Sequence, residues 1–292
     1  MRTRFILPLA ATLVAGLAVG SWIKFRPVPK PVAKPEPIVA KPVRKLVADY
    51  AVPVLMYHRI NLLTEREARS PLMRDLTVSP EDFESQVAYL KEKGFEFLLA
   101  SEVESAAREG RGLPEKAVCI TMDDGYRDNF DLAYPILKKY DACATIFVVT
   151  SSMGKPARLD WGLVGQLFEG GMGIASHSVT HPDLTSLSDE RLDFELRESR
   201  AELEKRLNEE VRSIAYPTGA FDDRVIERAE LAGYWAGWKK GGGPVMPGAE
   251  PMKLPRVRVN GSTSIEGFQR KVWSGVVARA IDREKRERVA RR

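Results

Sequence analysis

Short apolar runs alternate with amphipathic stretches from Val52 to Trp273. Val52–Tyr57, Phe95–Leu99, Ala117–Met122, Ala144–Val149, Gly173–Ser176, Ser213–Tyr216, Tyr234–Trp238 and Leu254–Val259 read as strands, each too short for a buried helix. Helices are expected between them. Ser79-Pro80 opens one, with Phe83, Val87 and Leu90 on its apolar face and Gly94 as its stop. Ser101-x-x-Glu104 has the form of a capping box for a short helix. Leu132, Ile136, Leu137 and Tyr140 form the next face, bent at Pro135. Trp161–Phe168 is closed by Gly170-Gly171. The polar stretch Asp189–Asn208 starts at Ser188 and carries two i,i+4 pairs, Asp193–Arg197 and Glu202–Arg206. Asp222–Leu231 stops at Gly233, and Ser264 caps a last helix. Residues 59–78 are polar and irregular, a long loop of the kind that tends to carry function.

Strand–helix alternation of this length predicts an α/β fold with parallel strands, doubly wound or closed as a barrel. The placement of the polar residues is the decisive observation. His58, the pair Asp123-Asp124, His177 and the turn Tyr216–Gly219 all lie just past the C-terminal ends of strands. In a (β/α) barrel those ends share the face where active sites sit.

The rest of the 292-residue chain divides by composition. Arg2 and Arg4 precede a hydrophobic run, Phe5 to Ile23, so residues 1–26 read as a signal-anchor or a signal peptide. Ala18-Val19-Gly20 is a passable cleavage site. Trp22, Lys24, Phe25 and Arg26 resemble an interfacial anchor, which favours the uncleaved form. Residues 27–48, rich in Pro and Lys, form a semi-rigid spacer. A catalytic domain is assigned to 49–275 and a basic tail to 276–292. The net charge of +5 gathers at the two ends, with no basic face interleaved with aromatics in between, so a nucleic-acid partner is not expected. Cys119 and Cys143 lie in apolar runs and read as buried thiols.

Two adjacent carboxylates at the end of a buried strand raise each other's proton affinity, and a metal or a catalytic task is the usual compensation. Asp-Asp-Gly alone also fits a turn with one capping Asp. The chain has only three histidines, however, and two of them, His177 and His181, are spaced to meet one ion. Pro182 disfavours a helix there, so a loop or terminal turn is expected. Two His and one Asp leave positions open for water and substrate, as in catalytic sites.

Thr121-Met-Asp-Asp-Gly125 followed by His177-Ser-Val-Thr-His181 resembles the first two motifs of the polysaccharide deacetylase family, the carbohydrate esterases with the NodB homology domain. The resemblance covers about residues 52–270. It implies a distorted (β/α) barrel of seven to eight parallel strands and a metal-dependent hydrolase that removes N-acetyl groups from a polysaccharide. It makes Asp123 the general base and Asp124, His177 and His181 the ligands of a divalent metal, Zn2+ first, with Co2+, Ni2+ or Fe2+ as alternatives. Tyr216-Pro217-Thr218-Gly219 looks like the third motif, in which the N–H of Thr218 would stabilise the oxyanion. Tyr216, Pro217 and Gly219 would line the substrate site.

The chain departs from the family twice. Ala215 stands where an Arg usually orients the base, and Arg256 or Arg258 is a candidate replacement. No histidine follows His181 to serve as general acid. Pro53–Arg59 is instead similar to the permuted poly-N-acetylglucosamine de-N-acetylases, whose early Tyr-His segment supplies that acid; His58 takes the role here. Arg256 and Trp161 are further substrate-site candidates, and Trp161, Tyr126 and Trp235 are candidate sugar-stacking surfaces. The expected partners are an N-acetylated polysaccharide and, through the N-terminal segment, a membrane. The expected location is outside the cytoplasm, anchored at the inner membrane facing the periplasm or cell surface, or secreted after cleavage. A non-catalytic glycan-binding protein and an O-acetyl esterase are the competing readings.

Overall fold

The computed structural model describes residues 45–274. The hydrophobic segment 1–26, most of the spacer and the tail 276–292 lie outside the described residues. No helix among the described residues is long and apolar enough to cross a membrane. Within the spacer assigned to 27–48, Leu46–Val47 pairs antiparallel with Leu113–Pro114.

Eight strands build one all-parallel sheet: β1 Val54–Tyr57, β2 Glu96–Leu98, β3 Ala117–Asp123, β4 Thr145–Val148, β5 Gly173–Ser176, β6 Ser213–Ala215, β7 Ala236–Trp238 and β8 Val257–Arg258. Their order is β7-β6-β5-β4-β3-β1-β8, with β2 beside the start of β3. The last strand thus returns to lie beside the first. A bridge between Trp238 and Leu254 ties the far edge to the segment leading into β8. The sheet curls into the distorted (β/α) barrel expected from the sequence. Helices α1 Pro80–Glu92, α2 Ala100–Glu109, α3 Tyr134–Lys139, α4 Trp161–Glu169, α5 Asp189–Leu207 and α6 Asp223–Leu231 surround it, α2 packing its buried face with the residues on the barrel axis.

The period of two along each strand sorts the side chains into two cores. Leu55, Tyr57, Val118, Ile120, Met122 and Ile146 face the helices. Val54, Cys119, Phe147, Ala175, Ala215 and Trp238 face the barrel axis. Carried past the strand ends, the same alternation turns His58, Asp123 and His177 toward the axis. Val257 belongs to the outer core, so Arg256 and Arg258 on either side of it enter the barrel. Trp238 and Phe147, 6.5 Å apart between ring centroids, close the interior below these polar groups.

Local chemistry explains most element boundaries. Ser79, Asp160, Ser188 and Asp222 cap α1, α4, α5 and α6 with side-chain oxygens. Pro135 sits where a π-type turn, Asn129–Ala133, passes into α3, a junction that tolerates its missing N–H. Three expectations are corrected. The α2 capping box is displaced, because the helix starts at Ala100 and Glu102 receives the Leu99 N–H. Glu104 instead lies buried, accepting from Trp238 Nε1 at 2.7 Å. Asp193 meets Arg228 of α6 at 3.0 Å rather than Arg197. Finally, residues 59–78 are ordered: Arg59–Ile60 pairs with Thr77–Val78, enclosing short helices Glu65–Ala68 and Pro71–Leu76 with caps at Thr64 and Ser70.

Candidate active site

A cleft of about 410 Å³ opens at the C-terminal ends of the strands. Its walls include His58, Asp123, Asp124, His177, His181 and Arg256, with Tyr216, Thr218 and Gly219 on one side. Residues separated by more than half the chain thus meet at one end of the barrel.

Asp123 is the last residue of β3 and is buried. Arg256 grips it bidentately, with Nη1–Oδ1 at 2.6 Å and Nη2–Oδ2 at 2.8 Å. Burial pushes the Asp123 carboxyl up, but the Arg256 guanidinium opposes this, with help from His177 and His58. The outcome is a carboxyl held well below the usual range, ionised at any working pH. Arg256 is only 1% exposed and its fork is spent on Asp123. Arg256 thus lines the cleft with its fork turned to Asp123, where Ala215 offers no guanidinium.

Asp124 follows the strand at φ +74°, in the left-handed region. Its Oδ1 lies 3.6 Å from His177 Nε2 and 3.5 Å from His181 Nε2. Donor atoms of these three residues all fall within 4.8 Å of one another. Ligands about 2.1 Å from one tetrahedral ion stand about 3.4 Å apart, so these two spacings fit a shared metal. His177 Nδ1 is engaged by the Ala215 carbonyl at 2.7 Å, which leaves Nε2 for the ion. Burial lowers the His177 pKa against the pull of both aspartates, favouring the neutral imidazole a metal requires.

His58 lines the same cleft as these ligands. Burial lowers its pKa, and the charges of Asp123 and Asp124 partly offset that. Asn129 Nδ2 donates to the His58 carbonyl at 2.8 Å. Asp128 receives Arg59 Nε at 3.1 Å and the Ile60 N–H at 3.2 Å. The two residues after Arg127 therefore clamp the chain just past His58. Asp75 joins the rim from the 59–78 segment, bound by Arg258 and by Asn260 Nδ2 at 2.8 Å.

The turn after β6 presents Thr218 at φ +60°, an uncommon conformation for a β-branched residue. Its backbone N–H makes no hydrogen bond among the described residues. Tyr216 is buried, stacked on Phe221 and donating to the Met252 carbonyl at 3.0 Å. Pro217 is the buried residue of the turn. Gly219 has φ +81°, and a Cβ there would come 2.4 Å from the Lys240 Cβ. Gly219→Ala is expected to cost more than about 1 kcal/mol of stability and to depress activity by displacing Thr218; urea unfolding and steady-state rates check this.

Two aromatic assignments are corrected. Trp161 packs against the outer core with Arg206 5.0 Å over its ring, and Trp235 lies between Arg108 and Arg212. Neither lines the cleft. Tyr126 does, with Arg158 3.9 Å over its ring.

A model of the polysaccharide deacetylase family matches residues 110–237. The chain is 30% identical over 217 residues to the "Putative polysaccharide deacetylase YxkH" of Bacillus subtilis, with 74% of each chain covered. The chain belongs to the polysaccharide deacetylase family. This deacetylase is also 27% identical over 246 residues to a poly-beta-1,6-N-acetyl-D-glucosamine N-deacetylase of Staphylococcus epidermidis, covering 76% of this chain and 82% of that one. Among solved structures, the Streptococcus pyogenes deacetylase PplD in complex with acetate matches with a TM-score of 0.72 and 32% identity, over 77% of this chain and 99% of the other.

Asp128 and Asn129, which hold the chain beside His58, carry no signal in the sequence: both bind backbone groups of a segment far away in the chain, so no spacing between functional side chains announces them.

Proposed function

We propose that the chain is a metal-dependent hydrolase that removes N-acetyl groups from an N-acetylglucosamine-containing polysaccharide of the cell envelope or extracellular matrix. The observation that carries this reading is the division of labour between adjacent carboxylates. Asp123 is held ionised by Arg256, while Asp124 is set between two imidazoles. The two staphylococcal and streptococcal relatives, one an N-deacetylase by name and one a deacetylase with acetate bound, support the same chemistry.

A divalent ion on Asp124, His177 and His181 would polarise an acetamide carbonyl and ease the loss of a proton from water. Zn2+ suits two imidazoles and a carboxylate best, and Co2+, Ni2+ or Fe2+ fit the same donors. Asp123 accepts the water's proton as its oxygen attacks the carbonyl carbon. The Thr218 N–H donates to the oxyanion that forms. His58, in its imidazolium form, protonates the departing amine, and acetate and the free amino sugar leave. The N-terminal hydrophobic segment would hold the domain outside the cytoplasm, at the inner membrane, within reach of such a glycan.

Acetate released from N-acetylglucosamine oligomers, lost with chelator and restored by metal, is the expected result. No acetate with any divalent metal would leave a glycan-binding protein. Turnover of O-acetyl esters alone would leave an esterase. The placement of Arg256 on Asp123 supports turnover, since it keeps ionised the carboxylate that would take the water's proton. A further outcome separates the acid from the rest. His58→Gln is expected to slow amide hydrolysis by about 10²–10⁴-fold. Hydrolysis of p-nitrophenyl acetate, whose leaving group needs no proton, should change far less. Equal losses on both substrates would remove His58 from the role of acid.

A further inference from the structure

Glu195 lies on α5, fully buried in the helix face that meets the sheet. A carboxyl in that setting must be fully hydrogen-bonded, and its partners are specific. Oε2 accepts the backbone N–H of Val179 at 2.9 Å and that of Thr180 at 2.8 Å. Oε1 accepts the Thr180 hydroxyl at 2.6 Å and Arg191 Nη2 at 2.8 Å. Both N–H donors belong to the three residues between His177 and His181.

That connection has an unusual path. Ser178 and His181 both have positive φ, +64° and +62°. Non-glycine residues persist there only where the surroundings over-determine them. Ser178 Oγ receives the His181 N–H at 3.0 Å, and the Ser178 and Val179 carbonyls receive N–H groups of Thr150 and Ser151. The two histidines depend on this loop unequally. His177 is fixed at the end of β5 by its own bond to Ala215. The His181 side chain is 34% exposed, and beyond Asp124 and the edge contact with the His177 ring at 4.7 Å its ring has no hydrogen-bond partner among the described residues to hold it. Its aim comes from the backbone.

We propose that Glu195 is a positioning residue of the metal centre: by binding the Val179 and Thr180 amides it fixes the loop that sets His181 opposite His177 and Asp124. The inference rests on the metal-site reading above and extends it to a residue that touches neither metal nor substrate.

The test is a direct metal titration of the full-length chain, with Zn2+ measured against a chromophoric chelator and Co2+ followed by its absorption spectrum. Glu195→Ala is expected to weaken Zn2+ binding by about 10–100-fold and to alter the Co2+ spectrum. Glu195→Gln keeps an oxygen that can accept both amides, so its affinity should stay within about threefold of the parent. Glu104→Ala is the control: it removes a buried carboxyl near the opposite, N-terminal end of the barrel, and should lower Tm while leaving metal affinity unchanged. If Glu195→Ala does not fold, Glu195→Asp keeps the charge but falls one methylene short, and about a tenfold loss of affinity is expected. Unchanged metal affinity and Co2+ spectrum in the folded Glu195 variants, with Tm lowered as in the control, would overturn the proposal. A parent chain that binds no divalent ion would overturn the metal-site reading itself, and the same titration reports it.

Discussion

Arg256→Met should lower stability at neutral pH by about 3–5 kcal/mol, the range for breaking a buried ion pair from one side. The substitution fills much of the space but leaves Asp123 buried without its cation. The pH dependence fixes the sign. In the native chain the Asp123 carboxyl is depressed below its unfolded value, so its contribution to stability is present above that value and is lost only as pH falls through the lower, folded one. Without Arg256 the burial effect dominates and the folded pKa rises. The variant then loses stability as pH rises through that raised value, so it lies nearest the parent in acid. Urea unfolding at about pH 4 and about pH 8 should show the deficit growing with pH. The acid limb of kcat/KM should move up in parallel, because the base must lose a proton it now holds more tightly. Arg256→Lys keeps a charge but not the fork, and should fall between the two. A pH–rate profile that does not move, with a deficit under about 1 kcal/mol, would remove Arg256 from its role beside the base.

The register of the sheet explains why Arg256, rather than Arg258, meets Asp123. Val257 pairs with Leu55 and Arg258 with Met56, so Arg256 enters the barrel below Arg258. The lower arginine reaches the buried carboxylate, and the upper one meets Asp75 at the rim. Both were legible as candidates, since two arginines flank one apolar residue in the last strand. The choice between them depends on a pairing that the linear sequence does not carry. The same contrast runs through the chain. Strand positions were readable because each buried strand is a short apolar run bounded by turn residues. The Asp pair and the His pair were readable because their chemistry is costly without a partner. The packing of Trp161 and Trp235 under arginine side chains was not, because an aromatic residue gives the same signal at a sugar platform as at a helix surface. The displaced start of α2 shows a local motif losing to tertiary packing: Glu104 fits a capping box on paper, yet Trp238 binds it inside the barrel.

Asp124→Ala and Asp123→Asn should separate two functions that occupy adjacent positions. Asp124 supplies the one carboxylate between His177 and His181, so its removal leaves two imidazoles, one buried and one partly exposed. Metal content after purification should fall to background, and activity with it. Asp123 lies with Arg256 instead, 4.0 Å from His177 Nε2. Asp123→Asn should retain metal while turnover falls by about 10²–10⁴-fold, the usual effect of removing a general base. Stability should respond in the opposite order. In metal-free protein Asp123→Asn is the more damaging change, because it strands the Arg256 charge in the barrel interior. Added Zn2+ should raise Tm for the parent and for Asp123→Asn, because an ion that binds only the folded state stabilises it in proportion to its concentration over Kd. Asp124→Ala should gain nothing. Retained metal in Asp124→Ala would refute the ligand set, and full turnover in Asp123→Asn would refute the base. Neither result could be rescued by reversing the two roles, since only Asp124 approaches both imidazoles and only Asp123 is gripped by the guanidinium.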